Sequence, residues 1–271
     1  MNNSKKGIAI IVLLIFILGV VLTAGIIKDK KLSKENKDDY NNYIATIKDK
    51  DDSDTKDTES SKSNDDSSQS DNNDSGKEQN LNFYDKLKAK SPVKVLVLGD
   101  GIALSQGSTT SDGKWVEGLA NFIKTTYGSE VEVKSLAKSG TKADEGLNIA
   151  KSNDLTGYDL VETCFGQNDN NAKTDAKAFK TSYLGIIDEI KSKNSNAVII
   201  PVLSSTLDAN NNYRKAISEI AQEKSLSAAD VKQAFVDSGA EASLVTGSLP
   251  NDKGYKYYTL TIANIIKNKM A

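Results

Sequence analysis

Residues 93–101 read Val-Lys-Val-Leu-Val-Leu-Gly-Asp-Gly, a β-branched and apolar run that ends in a glycine-flanked aspartate. Runs of this kind are typical of strands that are buried on both faces, as in a parallel sheet. Similar runs occur at residues 131–136, 158–165 and 197–203. The sequence therefore predicts four buried strands that lie side by side in one parallel sheet.

Helical patterns lie between and after these runs. In four segments apolar residues recur at spacings of three and four, which places them on one face of a helix. The four apolar faces comprise Trp115, Leu119, Phe122 and Ile123; Phe179, Tyr183, Ile186, Ile187 and Ile190; Tyr213, Ile217, Ile220 and Ala221; and Tyr255, Tyr258, Ile262, Ile265 and Ile266. Strands that alternate with helices predict a three-layer α/β/α sandwich around a central parallel sheet. Ligands of such sheets bind at the carboxyl ends of the strands.

The N-terminal part of the chain has a different character. Residues 7–27 are apolar and uncharged, and Lys6 and Lys28 flank them. A helix of this length spans the hydrocarbon core of a bilayer, which is about 30 Å thick. The apolar core of a cleaved signal peptide is usually shorter. We therefore predict a short N-terminal tail at residues 1–6, followed by one transmembrane anchor.

Residues 28–90 are predicted to form a low-complexity linker rich in acidic residues, Ser and Asn. Its central part, residues 51–80, contains ten acidic residues and three Lys, with no aliphatic or aromatic residue. Such a segment buries too little surface to offset its ordering entropy, so we expect it to be disordered. It would act as a stalk that holds a domain at residues 91–271 away from the membrane. This arrangement favours a single-pass membrane protein with an extracytoplasmic domain, although the Lys residues around the anchor do not favour that orientation.

Composition excludes several kinds of chemistry. The chain has no His and one Cys, so it contains no Ser-His-Asp triad, no Cys-His pair, no His-based zinc site and no internal disulfide. The formal net charge of -2 gives no electrostatic reason to expect a nucleic-acid partner. We predict no metal site and no cofactor.

Four polar blocks follow the predicted strands or precede the last helix. They are residues 98–103, 136–141, 164–169 and 248–255. Their order and spacing resemble those of the four blocks of the SGNH (GDSL-type) hydrolase family, over residues 92–270. The resemblance implies a flavodoxin-like α/β/α domain from a family that usually cleaves acyl esters of lipids or carbohydrates.

The resemblance also shows where this chain departs from the family. The position of the nucleophilic Ser holds Gly101, the position of the triad Asp holds Thr246, and the position of the triad His holds Leu249. Gly140 and Asn168 match the two family residues that help to form the oxyanion hole. A serine attacks an ester only when a base takes its proton. Because the chain offers neither group at these positions, we predict no catalytic residue.

The retained positions predict a binding site instead. The N–H groups of Gly101 and Gly140 and the amide of Asn168 would converge on an oxygen atom, and they are our predicted ligand-binding residues. The function this implies is a membrane-anchored, non-catalytic pseudo-hydrolase of the cell envelope. Its ligand would be acylated or polyhydroxy, such as a cell-envelope polysaccharide or an acylated sugar, or its partner would be a membrane protein.

Two alternatives remain open. The first is an active esterase, O-acyl hydrolase or acyltransferase that uses other groups. Ser139 and Lys142 have the spacing of a Ser-Lys enzyme, but the same spacing recurs four times elsewhere in this Ser- and Lys-rich chain. Cys164 is expected to be an inert buried thiol, and Asp100 and Asp169 are expected to be structural. The second alternative is a structural or interaction protein with a vestigial pocket.

Overall fold

The structure is a computed structural model that describes residues 81–111 and 113–271. It has the alternation of strands and helices that the sequence predicts. In chain order the elements are α1 Phe83–Lys88, β1 Val93–Gly99, α2 Trp115–Tyr127, β2 Val131–Ser135, α3 Ala143–Ser152, β3 Leu160–Cys164, α4 Gln167–Ala172, α5 Ala176–Lys193, β4 Val198–Leu203, α6 Asn212–Glu223, β5 Ala229–Asp230, α7 Val231–Ser238, a 3-10 turn at Glu241–Leu244, β6 Val245–Thr246, β7 Leu249–Pro250 and α8 Asp252–Met270.

The central sheet has five parallel strands in the order β2-β1-β3-β4-β5. Val95 pairs with Leu160 on one side of β1 and with Val133 on the other, so β1 lies between β2 and β3. The chain first adds strands on one side of β1 and then on the other. Between β1 and β3 the direction of winding reverses, and in sheets of this type that position opens a crevice at the carboxyl ends of the strands.

Helices cover both faces of the sheet, which confirms the predicted three-layer sandwich. One face packs against α1, α2, α7 and α8, with Trp115, Phe235 and Tyr258 in its core. The other face packs against α3, α5 and α6, with Tyr183 and Ile217 in its core. The apolar stripes read from the sequence are the faces that these helices bury.

Local sequence signals set several helix ends. Asn251 begins α8 by accepting hydrogen bonds from the N–H groups of Lys253 and Gly254, and Asp175 begins α5 by accepting one from Ala178. Gly128 ends α2 with a φ of 73°, a left-handed conformation that glycine adopts without a steric penalty. These caps fix where the loops begin.

The prediction that all four strands are buried on both faces is wrong for β2. This strand is at the edge of the sheet, and Glu132 and Lys134 are exposed while Val131 and Val133 are half-buried. The alternation of charged and apolar residues in this strand is the pattern of an edge, where one face meets solvent. The other three predicted strands are buried, apart from the exposed Lys94 and the half-buried Val198.

The predicted boundary between linker and domain, at residues 90 and 91, is also too late. Helix α1 lies within the predicted linker, yet Phe83 and Leu87 are fully buried in the core that contains Trp115. Two apolar residues one turn apart suffice to attach this short helix to the sheet. The folded region therefore includes residues 83–90.

The predicted tail, transmembrane anchor and acidic stalk, residues 1–80, lie outside the described residues. Within the part of the chain that the structure describes, no helix combines the length and the apolar character needed to cross a membrane. The anchor at residues 7–27 therefore stays a prediction from the sequence.

Candidate functional site

The turn after β1 passes very close to the end of β3. A Cβ on Gly99 would lie 2.5 Å from the carbonyl oxygen of Cys164, so a residue with a side chain does not fit there. The N–H of Asp100 donates to the same carbonyl at 3.0 Å. This contact holds the loop that begins at Asp100 against the loop that begins at Phe165, at the crevice between β1 and β3.

Asp100 stabilises the turn that follows it. Its Oδ1 accepts a hydrogen bond from the N–H of Ile102 at 2.9 Å, and the residue is 1% exposed. The second oxygen, Oδ2, has no hydrogen-bond partner among the described residues. Burial raises the pKa of Asp100 to about 7, although backbone N–H donors such as that of Ile102 oppose the shift. The contacts are those of a structural carboxyl group, as the sequence analysis expected.

Gly101, at the position that the resemblance assigns to the nucleophile, lies under the side chain of Gln106. A Cβ on Gly101 would overlap Oε1 of Gln106, and it would lie 3.5 Å from Oγ of Ser139. The hydroxyl of Ser139 donates to Oε1 of Gln106 at 3.3 Å. The carboxamide of Gln106 therefore bridges the loops after β1 and β2, and it fills the volume that a nucleophilic side chain would occupy.

The other two predicted binding residues lie on the neighbouring loops. Gly140 is exposed in the turn after β2, and its φ of 84° requires glycine. Asn168 lies in the first turn of α4, and its Nδ2 donates to the carbonyl of Thr141 at 3.2 Å. The structure thus brings the loops that carry Gly101, Gly140 and Asn168 together at one edge of the sheet.

The backbone donors at this edge are not used by the fold. Neither the N–H of Gly101 nor that of Gly140 donates to another residue in the described ranges. Donors of this kind, held in place before a ligand arrives, stabilise a carbonyl oxygen or a developing negative charge. The geometry is compatible with the predicted oxygen-binding role, which stays a prediction.

Asp169 connects the loop after β3 to the start of α3. Its Oδ2 accepts a hydrogen bond from the N–H of Ala143 at 3.0 Å, and the residue is 1% exposed. Burial raises the pKa of Asp169, while the bond from Ala143 acts in the opposite direction. Asp169 therefore helps to fix the position of neighbouring Asn168.

The fourth block forms a small hairpin over the loop after β1. Thr246 and Leu249 face each other across the antiparallel pair β6–β7. Thr246 is exposed, whereas Leu249 packs against the apolar core, and its Cβ would lie 3.0 Å from a Cβ placed on Gly107. At the position that the resemblance assigns to the base, the chain therefore has a hydrophobic contact.

Asp252, just after the hairpin, binds the same loop by hydrogen bonds. Its carboxylate accepts from Oγ of Ser108 at 2.6 Å, from the N–H of Thr109 at 2.9 Å and from Oγ1 of Thr109 at 2.5 Å. Partial burial alone would raise the pKa of Asp252, but these bonds lower it to about 2. So weakly basic a carboxylate is a poor general base for Ser108.

The candidate replacement nucleophiles lack a suitable base. The hydroxyl of Ser139 binds Gln106, while Nζ of Lys142 is paired with Asp144 at 3.4 Å. Cys164 is 1% exposed, and burial raises the pKa of its thiol well above the ordinary value. These contacts favour the interpretation that the Ser139 and Lys142 spacing arose by chance.

Sequence reasoning missed Gln106 and the role of Asp252. Gln106 lies five positions after Gly101, outside the quoted blocks, and only its rotamer brings its amide over Gly101. Asp252 stands in the fourth block, but its contact with a loop 143 residues earlier in the chain has no local sequence signal. Both residues act through tertiary contacts that periodicity and spacing do not encode.

Comparisons with known proteins agree with this geometry. The family model described as the GDSL-like lipase/acylhydrolase family matches residues 97–257, which is more than half of the chain. No curated protein matches the chain.

Several solved structures share the fold. A two-domain esterase active on acetylated mannans, co-crystallised with mannopentaose, has a TM-score of 0.60 and 19% identity, covering 69% of this chain and 53% of its own. A lipase/acylhydrolase from Enterococcus faecalis has a TM-score of 0.54 and 18% identity, covering 65% and 96%. The esterase EstA from Pseudoalteromonas sp. has a TM-score of 0.54 and 16% identity, covering 65% and 98%. The chain spans about half the length of the mannan esterase.

Proposed function

The chain belongs to the GDSL-like lipase/acylhydrolase family, and we propose that its domain binds an acylated or polyhydroxy carbohydrate of the cell envelope without hydrolysing it. In this proposal the residues outside the described ranges anchor the domain to a membrane, so that it acts as an extracytoplasmic binding module. Two features support this proposal: the chain keeps the four loops of the family, and it lacks reactive side chains at the positions that the resemblance assigns to the triad.

The observation that carries the proposal is the state of the nucleophile position. Gly101 has no side chain, and the volume next to its Cα is filled by the carboxamide of Gln106. Acyl transfer through a covalent intermediate needs a nucleophile together with a base that takes its proton. Leu249, at the family's base position, packs against the core and cannot accept a proton.

A binding role would use the N–H donors that the site keeps. The N–H groups of Gly101 and Gly140 are unused within the described residues, and the Asn168 carboxamide has a second N–H beyond the one given to Thr141. Three such donors on adjoining loops would hold a carbonyl or hydroxyl oxygen. The mannan esterase that shares the fold is described as active on acetylated mannans, which supports an acylated carbohydrate as the ligand class.

The first test separates binding from turnover. We expect the full chain, purified in detergent, to release no acetate from acetylated mannan or p-nitrophenyl acetate and to show no labelling by a fluorophosphonate. Turnover that falls when Asn168→Ala is introduced, together with labelling of a single Ser, would contradict the proposal. Turnover that Asn168→Ala leaves unchanged would indicate a contaminating hydrolase.

The second test measures the ligand. Acetylated manno-oligosaccharides should bind the full chain in calorimetric titrations, and chemically deacetylated ones should bind more weakly. Asn168→Ala should weaken binding of the acetylated form, while Asn148→Ala, an exposed change on α3, should not. A chain that binds neither oligosaccharide would instead fit a structural protein with a vestigial pocket or a partner protein as the target.

One observation favours an active enzyme as the second candidate. The pKa of Asp100, raised by burial to about 7, is in the range of a general base. In that case hydrolysis would rise as the pH passes 7, and Asp100→Asn would abolish it. The 1% exposure of Asp100 and its bond to Ile102 argue against this role.

A further inference from the structure

The side chain of Gln106 has an unusual position in the candidate site. Gln106 is an exposed residue, yet its carboxamide lies over Gly101, between the loops after β1 and β2. An exposed Gln normally keeps its rotamer freedom, because ordering a long side chain costs entropy. The contacts of its main chain and of its amide explain this position.

The main chain of Gln106 is held at both of its polar atoms. Its N–H donates to the carbonyl of Gly101 at 2.8 Å, and its carbonyl accepts from the hydroxyl of Tyr255 at 2.7 Å. Tyr255 is fully buried in the first turns of α8, so this anchor is rigid. The side chain of Gln106 can therefore leave while the loop stays in place.

Within the described residues, the carboxamide itself is held by a single side-chain bond. Oε1 accepts from the hydroxyl of Ser139 at 3.3 Å, and Ser139 is exposed. Its neighbour in the chain, Gly140, carries one of the unused N–H groups of the site. The amide oxygen thus lies over Gly101 and contacts the residue that precedes Gly140, and it can move at little cost.

We propose that the Gln106 carboxamide is an internal stand-in for the acyl group of the ligand. In the free protein the amide occupies the site, and the acyl group of the ligand displaces it on binding. This inference rests on the proposed function and names the part of the ligand that the site takes. A primary carboxamide and an acetyl group have the same planar shape around a carbonyl carbon. A space that accepts the Gln106 amide therefore accepts an acetyl ester or an acetamide.

Charge narrows the ligand class to neutral acyl groups. Asp100 is adjacent to Gly101 in the chain, and it interacts electrostatically with Asp169 beside Asn168. A carboxylate ligand would bring a third acidic group into this region, and like charges in a poorly solvated site repel each other. An acetyl ester or acetamide should therefore bind better than free acetate.

The test uses trifluoroacetamide, a small neutral acyl probe, with the full chain in detergent and ligand-observed ¹⁹F NMR. Gln106→Ala removes the competing amide, so it should bind the probe about fivefold more tightly than the unsubstituted chain, the factor that corresponds to one hydrogen bond. Gln106→Asn, whose amide is too short to reach Ser139, should show the same gain. Gln222→Ala, an exposed change on α6, should leave the affinity unchanged.

A substitution at Ser139 provides a second test of the same proposal. Since its hydroxyl would pass from the Gln106 amide to the probe, adding Ser139→Ala to the Gln106→Ala chain should weaken binding about fivefold. Trifluoroacetate should bind every variant more weakly than trifluoroacetamide does. Thermal unfolding midpoints would confirm that all variants fold.

The outcomes separate this inference from the proposed function. If Gln106→Ala and Gln106→Asn bind trifluoroacetamide no better than the unsubstituted chain, or do not bind it, the internal stand-in is wrong. If acetylated manno-oligosaccharides bind equally well to all variants, the carbohydrate function stands and the role of Gln106 fails. If the probe behaves as expected while no oligosaccharide binds, Gln106 has the proposed role and the carbohydrate ligand is wrong.

Discussion

Glu162 is an acidic residue in the interior of the central sheet. It lies in the middle of β3, paired with Val97 on β1 and Ile200 on β4, and it is fully buried. Neither of its carboxyl oxygens has a hydrogen-bond partner among the described residues. Burial raises the pKa of Glu162 to about 8, so the folded protein holds this group protonated at neutral pH.

The consequence is a dependence of stability on pH. The pKa of Glu162 rises from 4.5 in the unfolded chain to about 8 in the folded one, so the unfolded state loses its proton first. The free energy of unfolding should therefore fall as the pH rises from about 4.5 to 8, by up to about 4 kcal/mol. Urea unfolding followed by the fluorescence of buried Trp115 at pH 5 and pH 8 measures this change.

Glu162→Gln should remove the part of that dependence that comes from Glu162, because a neutral amide has no proton to lose. The part that comes from Asp100, whose pKa burial also raises, should remain. The matched control is Glu117→Gln on the exposed side of α2, which should leave the slope with pH nearly unchanged. A slope that is the same in Glu162→Gln and in the unsubstituted chain would show that another group is responsible.

Gly99 and Gly101 allow a direct comparison of two crowded glycines. A Cβ on Gly99 would lie 2.5 Å from the Cys164 carbonyl oxygen, which β3 holds in place. A Cβ on Gly101 would displace only the flexible end of Gln106. We expect Gly99→Ala to lower the free energy of unfolding by about 3 kcal/mol and Gly101→Ala by less than about 1 kcal/mol. Equal losses in urea unfolding would show that Gln106 is held as firmly as the strand.

At the scale of elements, the start of α8 controls the loop after β1. Asp252 accepts hydrogen bonds from Ser108 and from two groups of Thr109, and these bonds lower its pKa to about 2. The stabilisation they provide is present above a pH of about 4 and is lost as the pH falls towards 2. The loop that contains Gln106 is therefore attached to the fold from the side of α8.

Asp252→Asn should weaken this attachment, because it removes the charge that strengthens the hydrogen bonds. We expect the free energy of unfolding to fall by about 1 kcal/mol, a value reduced for solvent screening at this half-buried group. Hydrogen exchange at the amide of Thr109 should become faster at neutral pH. The exposed Asp237→Asn on α7 serves as the control. Unchanged exchange at Thr109 would place the anchor of the loop elsewhere.

The sequence predicted the longer strands and four of the helices, and it missed helix α3 and the shortest strands. Periodicity needs several residues, so the runs at β1, β3 and β4 and the four helical stripes were readable. Strands of two residues, such as β5, β6 and β7, carry no period, and tertiary contacts alone define them. The burial expected for the edge strand β2 is wrong because Val131 and Val133 suggest a buried strand, although the charged Glu132 and Lys134 alternate with them.

At the scale of the whole molecule, the candidate site is assembled from four distant segments. The strand order places the loops after β1 and β3 side by side, and the last helix closes the opposite side through Asp252 and Tyr255. The resemblance in sequence predicted which loops meet. It could not predict that Gln106 fills the vacant position, since a side-chain rotamer depends on packing rather than on the order of blocks.

The same assembly predicts what a Ser-His-Asp triad would need in this chain. Thr246 and Leu249 are cross-strand partners, so Thr246→Asp and Leu249→His would place a carboxylate and an imidazole directly opposite each other, about 5 Å apart at Cβ. Gly101→Ser would supply the nucleophile, but the amide of Gln106 lies in its place. We therefore expect the three changes together to give little hydrolysis of p-nitrophenyl acetate, and at least about tenfold more once Gln106→Ala is added. The control replaces Gly101→Ser with Gly101→Ala in the fourfold variant and should be inactive. If the fourfold variant is no faster than this control, the hairpin does not hold its base near Gly101.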